Sequence, residues 1–280
     1  MRQLIEKQHN ILEVSGLQVK AKTSIGTIPL VQDIQFELKP GHVLGLVGES
    51  GSGKTITSLS LLQLLDRKIT SIEGSIRLHG RELNGLSAKE MRRIRGKEIA
   101  LIMQNPMNAF TPVYTIGNQF IETIRTHTNL TKKEAFELAV DSLHNVNLPN
   151  PSDIMRKYPF QLSGGMLQRV MIAISLCLRP AVIIADEPTT ALDVTNQLQV
   201  LRQLDWIRSE YGTAILLISH DLGVISELAD DVIVMQNGRI VEKADVYQLF
   251  DHPQHEYTKK LLHARPSLQF NKENSRIGEP

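Results

Sequence analysis

The residues best equipped for chemistry begin at Gly48. Gly48-Glu49-Ser50-Gly51-Ser52-Gly53-Lys54-Thr55 has the spacing G-x-x-x-x-G-K-[ST], in which glycines let the backbone wrap a phosphate with its N–H groups facing inward. The context suits that role. An apolar run at 42–47 precedes the loop, and 54–65 reads as a helix with Ile56, Leu59, Leu62 and Leu65 on one face, so a positive helix end would point at the anion. There Lys54 would reach the β- and γ-phosphates and the Thr55 hydroxyl would ligate Mg²⁺. The motif predicts a bound nucleoside triphosphate contacted by Gly48, Glu49, Ser50, Gly51, Ser52, Gly53, Lys54, Thr55 and Ile56.

A second constellation lies far downstream. Ala181-Val182-Ile183-Ile184-Ala185-Asp186-Glu187 is an apolar strand ending in two carboxylates, and buried strands rarely finish so without a partner cation. Asp186 is placed to hold Mg²⁺ beside Thr55, and Glu187 to take a proton from an attacking water. The chain between Lys54 and Asp186 is longer than a minimal phosphate-loop enzyme requires. Within it Leu162-Ser163-Gly164-Gly165-Met166-Leu167-Gln168-Arg169 opens a helix predicted to run to about residue 178. Its start offers a hydroxyl, small residues and free N–H groups, a second anion-binding terminus. One nucleotide has no use for two such sites in one chain. Ser163, Gly164 and Gly165 are therefore expected to cap a γ-phosphate held by another subunit.

These residues need a scaffold, and the pattern supplies one. Strand signals occur at 11–20, 31–38, 42–47, 75–79, 99–103, 181–185 and 214–219. Residues 231–235 and 239–241 flank Asn237-Gly238, the residue pair a type I′ hairpin turn demands. Capping boxes, Ser87 with Glu90 and Thr131 with Glu134, mark two helix starts. Residues 106–160 carry no alternating apolar strand and read as a helical insertion. Strands alternating with helices predict an α/β core. His220 falls just after the strand at 214–219, at a strand end where α/β sites are built.

Composition narrows the function classes. The chain has 280 residues with 41% hydrophobic and 22% charged, enough for a sizeable core. Lys+Arg number 31 against 30 Asp+Glu, a formal net charge of +1, too balanced for a protein that neutralises many phosphates on nucleic acid. The single cysteine, Cys177, excludes an internal disulfide framework and a four-cysteine zinc site. That suits the reducing cytoplasm. No apolar stretch is long enough to span a membrane, and early charge argues against a secretory signal. His252, His255 and His263 are expected on the surface rather than around a metal. The basic run Lys89, Arg92, Arg93, Arg95 and Lys97 is expected on a solvated helix face.

Taken together, Gly48 through Thr55, Gln104, Leu162 through Arg169, Asp186-Glu187, Ala191-Leu192-Asp193 and His220 resemble the ordered motifs of the ABC transporter ATPase subunits. The resemblance implies an ABC-type phosphate-loop NTPase core over 10–250, with an antiparallel β subdomain, a helical insertion at about 106–178 and a C-terminal extension at 251–280. It implies ATP and Mg²⁺, the metal held by Thr55, Gln104 and Asp186, with catalysis by Glu187, His220 and Gln104. Asp193 would cross a dimer seam. The implied partners are a second ATPase subunit, a paralogue by family habit, two membrane-spanning permease subunits and, indirectly, an extracellular substrate-binding protein. Nucleic acid is not among them. The place implied is the cytoplasmic face of the cell membrane.

Narrower features are similar to the peptide/nickel branch of importers: Met103-Gln104-Asn105-Pro106, Tyr158-Pro159-Phe160, Met166 in the signature, Ala229-Asp230-Asp231-Val232, and the tail residues His252-Pro253, His255, Tyr257-Thr258 and Leu261-Leu262. Within that branch they resemble nickel-import subunits most, with oligopeptide as the alternative cargo. A soluble, non-transport ABC ATPase is the alternative of a different class. The family's adenine-stacking aromatic has no counterpart between residues 11 and 35, so Ile25 or Ile28 is expected in its place. With no cysteine cluster, no iron–sulfur centre is expected.

Overall fold

The computed structural model describes residues 10–190 and 194–263. The fold begins with a long hairpin, β1 (Leu12–Thr23) and β2 (Gly26–Leu38), extended by β4 (Thr70–Leu78) and β5 (Arg81–Glu82) into an antiparallel sheet ordered β2-β1-β4-β5. Val14, Leu17, Val19, Ile34, Phe36, Leu38, Ile76 and Leu78 turn inward from this sheet and are buried.

A second, six-stranded sheet carries the chemistry. Its members are β3 (Val43–Val47), β6 (Ile99–Ile102), β7 (Val182–Asp186), β8 (Ala214–Ile218), β9 (Asp231–Gln236) and β10 (Arg239–Asp245), in the order β10-β9-β3-β8-β7-β6. All neighbours run parallel except β10 against β9. Every residue of β3, β7 and β8 is buried, which is why these strands read as continuous apolar runs rather than alternating ones. The period of two still sorts the side chains. Val43, Ile183, Ala185, Ile215 and Leu217 face a helix-lined core, whereas Leu44, Leu46, Val182, Ile184, Leu216 and Ile218 face the antiparallel sheet. The result is a mostly parallel central sheet covered by the antiparallel sheet on one face and by a helical layer on the other, a phosphate-loop α/β fold.

Around this sheet lie α1 (Lys54–Leu61), α2 (Ala88–Ile94), α3 (Ile116–His127), α4 (Lys132–Asn145), α5 (Pro151–Ile154), α6 (Gly164–Leu176), α7 (Val194–Tyr211), α8 (Leu222–Leu228), α9 (Val246–Asp251) and α10 (Glu256–His263). Both predicted capping boxes form, with Ser87 and Glu90 at α2 and Thr131 and Glu134 at α4. Each satisfies orphan N–H groups from both sides. Among the described residues of 106–160 there is no strand. Asn237 (φ 48°) and Gly238 (φ 76°) form the β9–β10 turn, the double positive φ of type I′.

Three expectations fail locally. The strand expected at 75–79 begins at Thr70, because β4 pairs with β1 as far back as Ala21↔Thr70. Helix α1 stops at Leu61 rather than running to residue 65. Gln63 takes φ 49°, its N–H bonding Ser60 O at 2.9 Å and that of Leu64 reaching Leu59 O at 2.9 Å. This is a Schellman ending built without the usual glycine. The expected apolar face is kept, with Leu62 buried and Ile56 and Leu65 packed against the core. Thr57, Ser58, Ser60 and Leu61 go inside as well, and Thr57 and Ser60 quench their hydroxyls on Gly53 O and Ile56 O. Arg95 departs from the solvated run, donating to Leu62 O and Gln63 O at 2.7 Å each and so capping α1. Burial lowers its pKa.

Candidate functional site

The parallel strands deliver their chemistry at one edge. Their carboxyl ends lead into Gly48 after β3, His220 after β8, Glu187 after β7 and Gln104 after β6, the edge where open α/β sheets bind ligands. At the loop, Gly48 has φ 152°, and a Cβ there would lie 2.3 Å from Met235 O and 2.7 Å from Ser52 Oγ. No side chain fits. Gly53 (φ 105°) is the left-handed N-cap of α1. Lys54 is buried, and its ammonium donates to Gly48 O (2.7 Å), Glu49 O (2.9 Å) and Ser52 Oγ (3.4 Å). Burial pushes the Lys54 pKa down, opposed by Glu187 and then Asp186. The lysine thus sits folded over the loop it was expected to serve.

Asp186 ends β7 within the protein, 9% exposed. Burial raises its pKa most strongly. The Thr55 hydroxyl opposes this, the Glu187 charge adds to it, and Lys54 and Ser58 act as weaker counterweights. Buried Asp186, the exposed Thr55 hydroxyl and the exposed Gln104 amide nearby have the oxygen-donor chemistry that suits Mg²⁺. Glu187 follows at φ 49°, a left-handed conformation that costs a non-glycine residue about 1–3 kcal/mol and clusters at functional sites. Its N–H bonds Ile218 O at 2.9 Å. Its carboxylate meets Gln104 Nε2 at 2.7 Å, Thr190 Oγ1 at 2.9 Å and His220 Nδ1 at 2.9 Å. With Glu187 ionised it can only accept, so Nδ1 carries the proton. The imidazole is half exposed while Glu187 is largely covered.

Not every candidate joins this cluster. Ser163 caps α6 through a bond from Met166 N at 3.3 Å, and Ser163 and Gly164 stand exposed. Among the described residues, no hydrogen bond links Ser163, Gly164 or Gly165 to the phosphate loop. A Cβ on Gly164 would meet nothing within 4 Å. Helix α6 is nonetheless tied to the carboxylate strand, because buried Gln168 donates to Pro188 O at 2.9 Å. Ile56 is half-buried in α1, and Ile25 (92% exposed) and Ile28 (48%) flank the β1–β2 turn. Asp193 lies outside the described residues.

Several contacts had no reading in the sequence. Thr190, three residues past Glu187, could have been found from that spacing. Ser58 and Tyr257 carry no local signal. Tyr257 OH accepts the Glu49 N–H at 3.0 Å across 208 positions.

The profile of the ABC transporter family matches residues 31–190. A putative peptide import ATP-binding protein of Brucella abortus is 46% identical over 258 residues, covering 92% of this chain and 78% of the relative. The chain belongs to the ABC transporter family. As an ABC transporter ATP-binding subunit it has a further relative in Brucella melitensis, also named a putative peptide import ATP-binding protein, at 44% identity over 275 residues, 96% of this chain and 81% of that one. Solved structures agree on the fold. The dimeric post-hydrolysis ATP-binding cassette MJ0796 bound to ADP and Pi superposes with a TM-score of 0.75 at 24% identity, covering 84% of this chain and 98% of that one. CbiO1 of Clostridium perfringens, part of the ABC transporter complex cbiONQ, gives 0.72 at 25% identity, covering 87% and 91%. Among the described residues of the ABC subunit, no helix is long and apolar enough to cross a membrane. No group of three or more His, Cys, Asp or Glu that could hold a metal occurs among them either.

Proposed function

We propose that this subunit hydrolyses ATP to power an importer of di- or oligopeptides, working as one of two facing ATPase subunits on the cytoplasmic side of the membrane. The observation that carries the hydrolytic reading is the Glu187 cluster, a carboxylate held by Gln104, Thr190 and His220 beside the phosphate loop. Glu187 takes the proton of the attacking water, which replaces one of its three partners, while His220 and Gln104 keep the carboxylate aimed. Thr55, Asp186 and Gln104 would hold Mg²⁺, which when bound supplies positive charge against the β- and γ-phosphates. Lys54 exchanges the loop carbonyls for phosphate oxygens.

The opposed-subunit half of the pocket falls to Ser163, Gly164 and Gly165. Gly164 supports this: its backbone is ordinary helix and its Cβ position is open, so nothing among the described residues demands a glycine there. Asp193 belongs to the same proposed seam. ATP biases closure of the pair by binding the closed state better. A groove of about 540 Å³ lined by Phe110, Tyr114, Met171 and Ile174 lies beside 104–112 and offers the permease subunits a seat.

For cargo, the relatives' names favour peptide over nickel, which the Met166 signature form suggested; nickel is in neither relative's name. The test is ATP hydrolysis by the assembled transporter in proteoliposomes, with its binding protein loaded with peptides or with Ni²⁺. Peptide should stimulate turnover. Stimulation by Ni²⁺ alone would overturn the peptide assignment.

A further inference from the structure

We propose that Tyr257 is a positioning residue for the phosphate loop, through which helix α10 sets nucleotide affinity. The contact falls on a single peptide unit. Its carbonyl, Gly48 O, accepts from Lys54 Nζ at 2.7 Å, and its amide, Glu49 N–H, donates to Tyr257 OH at 3.0 Å. The tyrosine is 8% exposed, so water competes weakly for that N–H. Burial raises the phenol's pKa, which keeps the hydroxyl neutral and available as an acceptor.

Helix α10 has its own anchor. Glu242 on β10 accepts from Gln254 N at 2.7 Å and His255 N at 3.0 Å, and Tyr257 N donates to His255 Nδ1 at 3.2 Å. The chain 254–257 is therefore fixed to the central sheet before it reaches the loop. This matters when Lys54 leaves Gly48 O and Glu49 O for a phosphate. The 48–49 peptide then loses its cation, and Tyr257 is the partner that still holds its plane. Without the hydroxyl the peptide can rotate, and its ordering must be supplied at the binding step. Tyr257 is not a catalytic residue, because it touches the Glu49 amide rather than reacting atoms.

The inference rests on 48–55 being the nucleotide site. Tyr257→Phe removes only the oxygen and leaves the packed ring. Titration of the full-length chain with a fluorescent MgATP analogue should show three- to tenfold weaker binding. The assembled transporter should show a matching rise in KM with kcat within twofold of wild type. Glu242→Ala, which unties α10 away from the loop, should weaken binding in the same direction. Unchanged affinity in Tyr257→Phe, even with a lowered melting temperature, would reduce Tyr257 to a packing residue and overturn the proposal. A wild-type chain that fails to bind the analogue would instead sink the phosphate-loop reading itself.

Discussion

Replacing Gly164 with alanine separates what this chain needs to fold from what it needs to work with a partner. The glycine stands at the first position of α6, its φ is not left-handed, and a Cβ would find nothing within 4 Å. Alanine in a helix interior is favoured over glycine by about 0.5–1 kcal/mol, an upper bound at a first position. At roughly 2–4 °C per kcal/mol for a chain of this size, the isolated Gly164→Ala subunit should melt at or above the wild-type temperature, by up to about 4 °C. In the assembled transporter the same methyl would press into a pocket shared with the opposite subunit's nucleotide, and ATP turnover should fall about tenfold or more. Gly48→Ala supplies the contrast. Its Cβ would sit 2.3 Å from Met235 O at φ 152°, so that variant should lose roughly 2–4 kcal/mol before any partner is added. Differential scanning calorimetry of the lone subunits and phosphate release from the complex provide the readouts. A lower melting temperature for Gly164→Ala would mean the fold itself requires the glycine. Undiminished turnover in the complex would remove the case for a shared pocket.

Two further outcomes follow from the carboxylate pair. Glu187→Gln keeps an acceptor for Gln104 and Thr190 but cannot take a proton, so turnover should fall at least about a hundredfold while MgATP binding persists. Near-wild-type hydrolysis would disprove its role as base. Asp186→Asn should abolish Mg²⁺-dependent hydrolysis yet stabilise the nucleotide-free protein. Because burial raises the Asp186 pKa in the folded state, the wild-type protein is helped by that proton in acid and loses the help as pH climbs from about 4 through the raised value. The gap in melting temperature between Asp186→Asn and wild type should therefore widen from acid toward neutral pH. A gap that shrinks over that range would contradict the buried-carboxylate account.

The features legible in the sequence are those whose physics is local. The phosphate loop, the two capping boxes and the Asn237-Gly238 turn each depend on residues within a few positions of one another. The loop lies between strand and helix as its spacing predicts, and the caps and the turn form as theirs do. The end of α1 was missed because Gln63, not glycine, adopts the left-handed conformation there. Its stabilisation comes from Arg95, more than thirty positions away. The Glu187 cluster is a different case. Gln104 and His220 stand 83 and 33 positions from it, and they meet only because β6, β7 and β8 lie side by side in the central sheet. No periodicity encodes that order, and Gln104 entered only through family resemblance. Tyr257 is visible merely as part of a tail pattern, since its partner Glu49 lies 208 positions away.

The bond from Gln168 to Pro188 O has a mechanical consequence. The amide that makes it lies about one helical turn from the exposed tip of α6, and the carbonyl that receives it belongs to the residue directly after Glu187. With both ends enclosed by protein, there is no slack between them for solvent to take up. A push or pull at that tip would therefore reach the backbone beside Glu187, so the two ends of this short strut would share one motion rather than two.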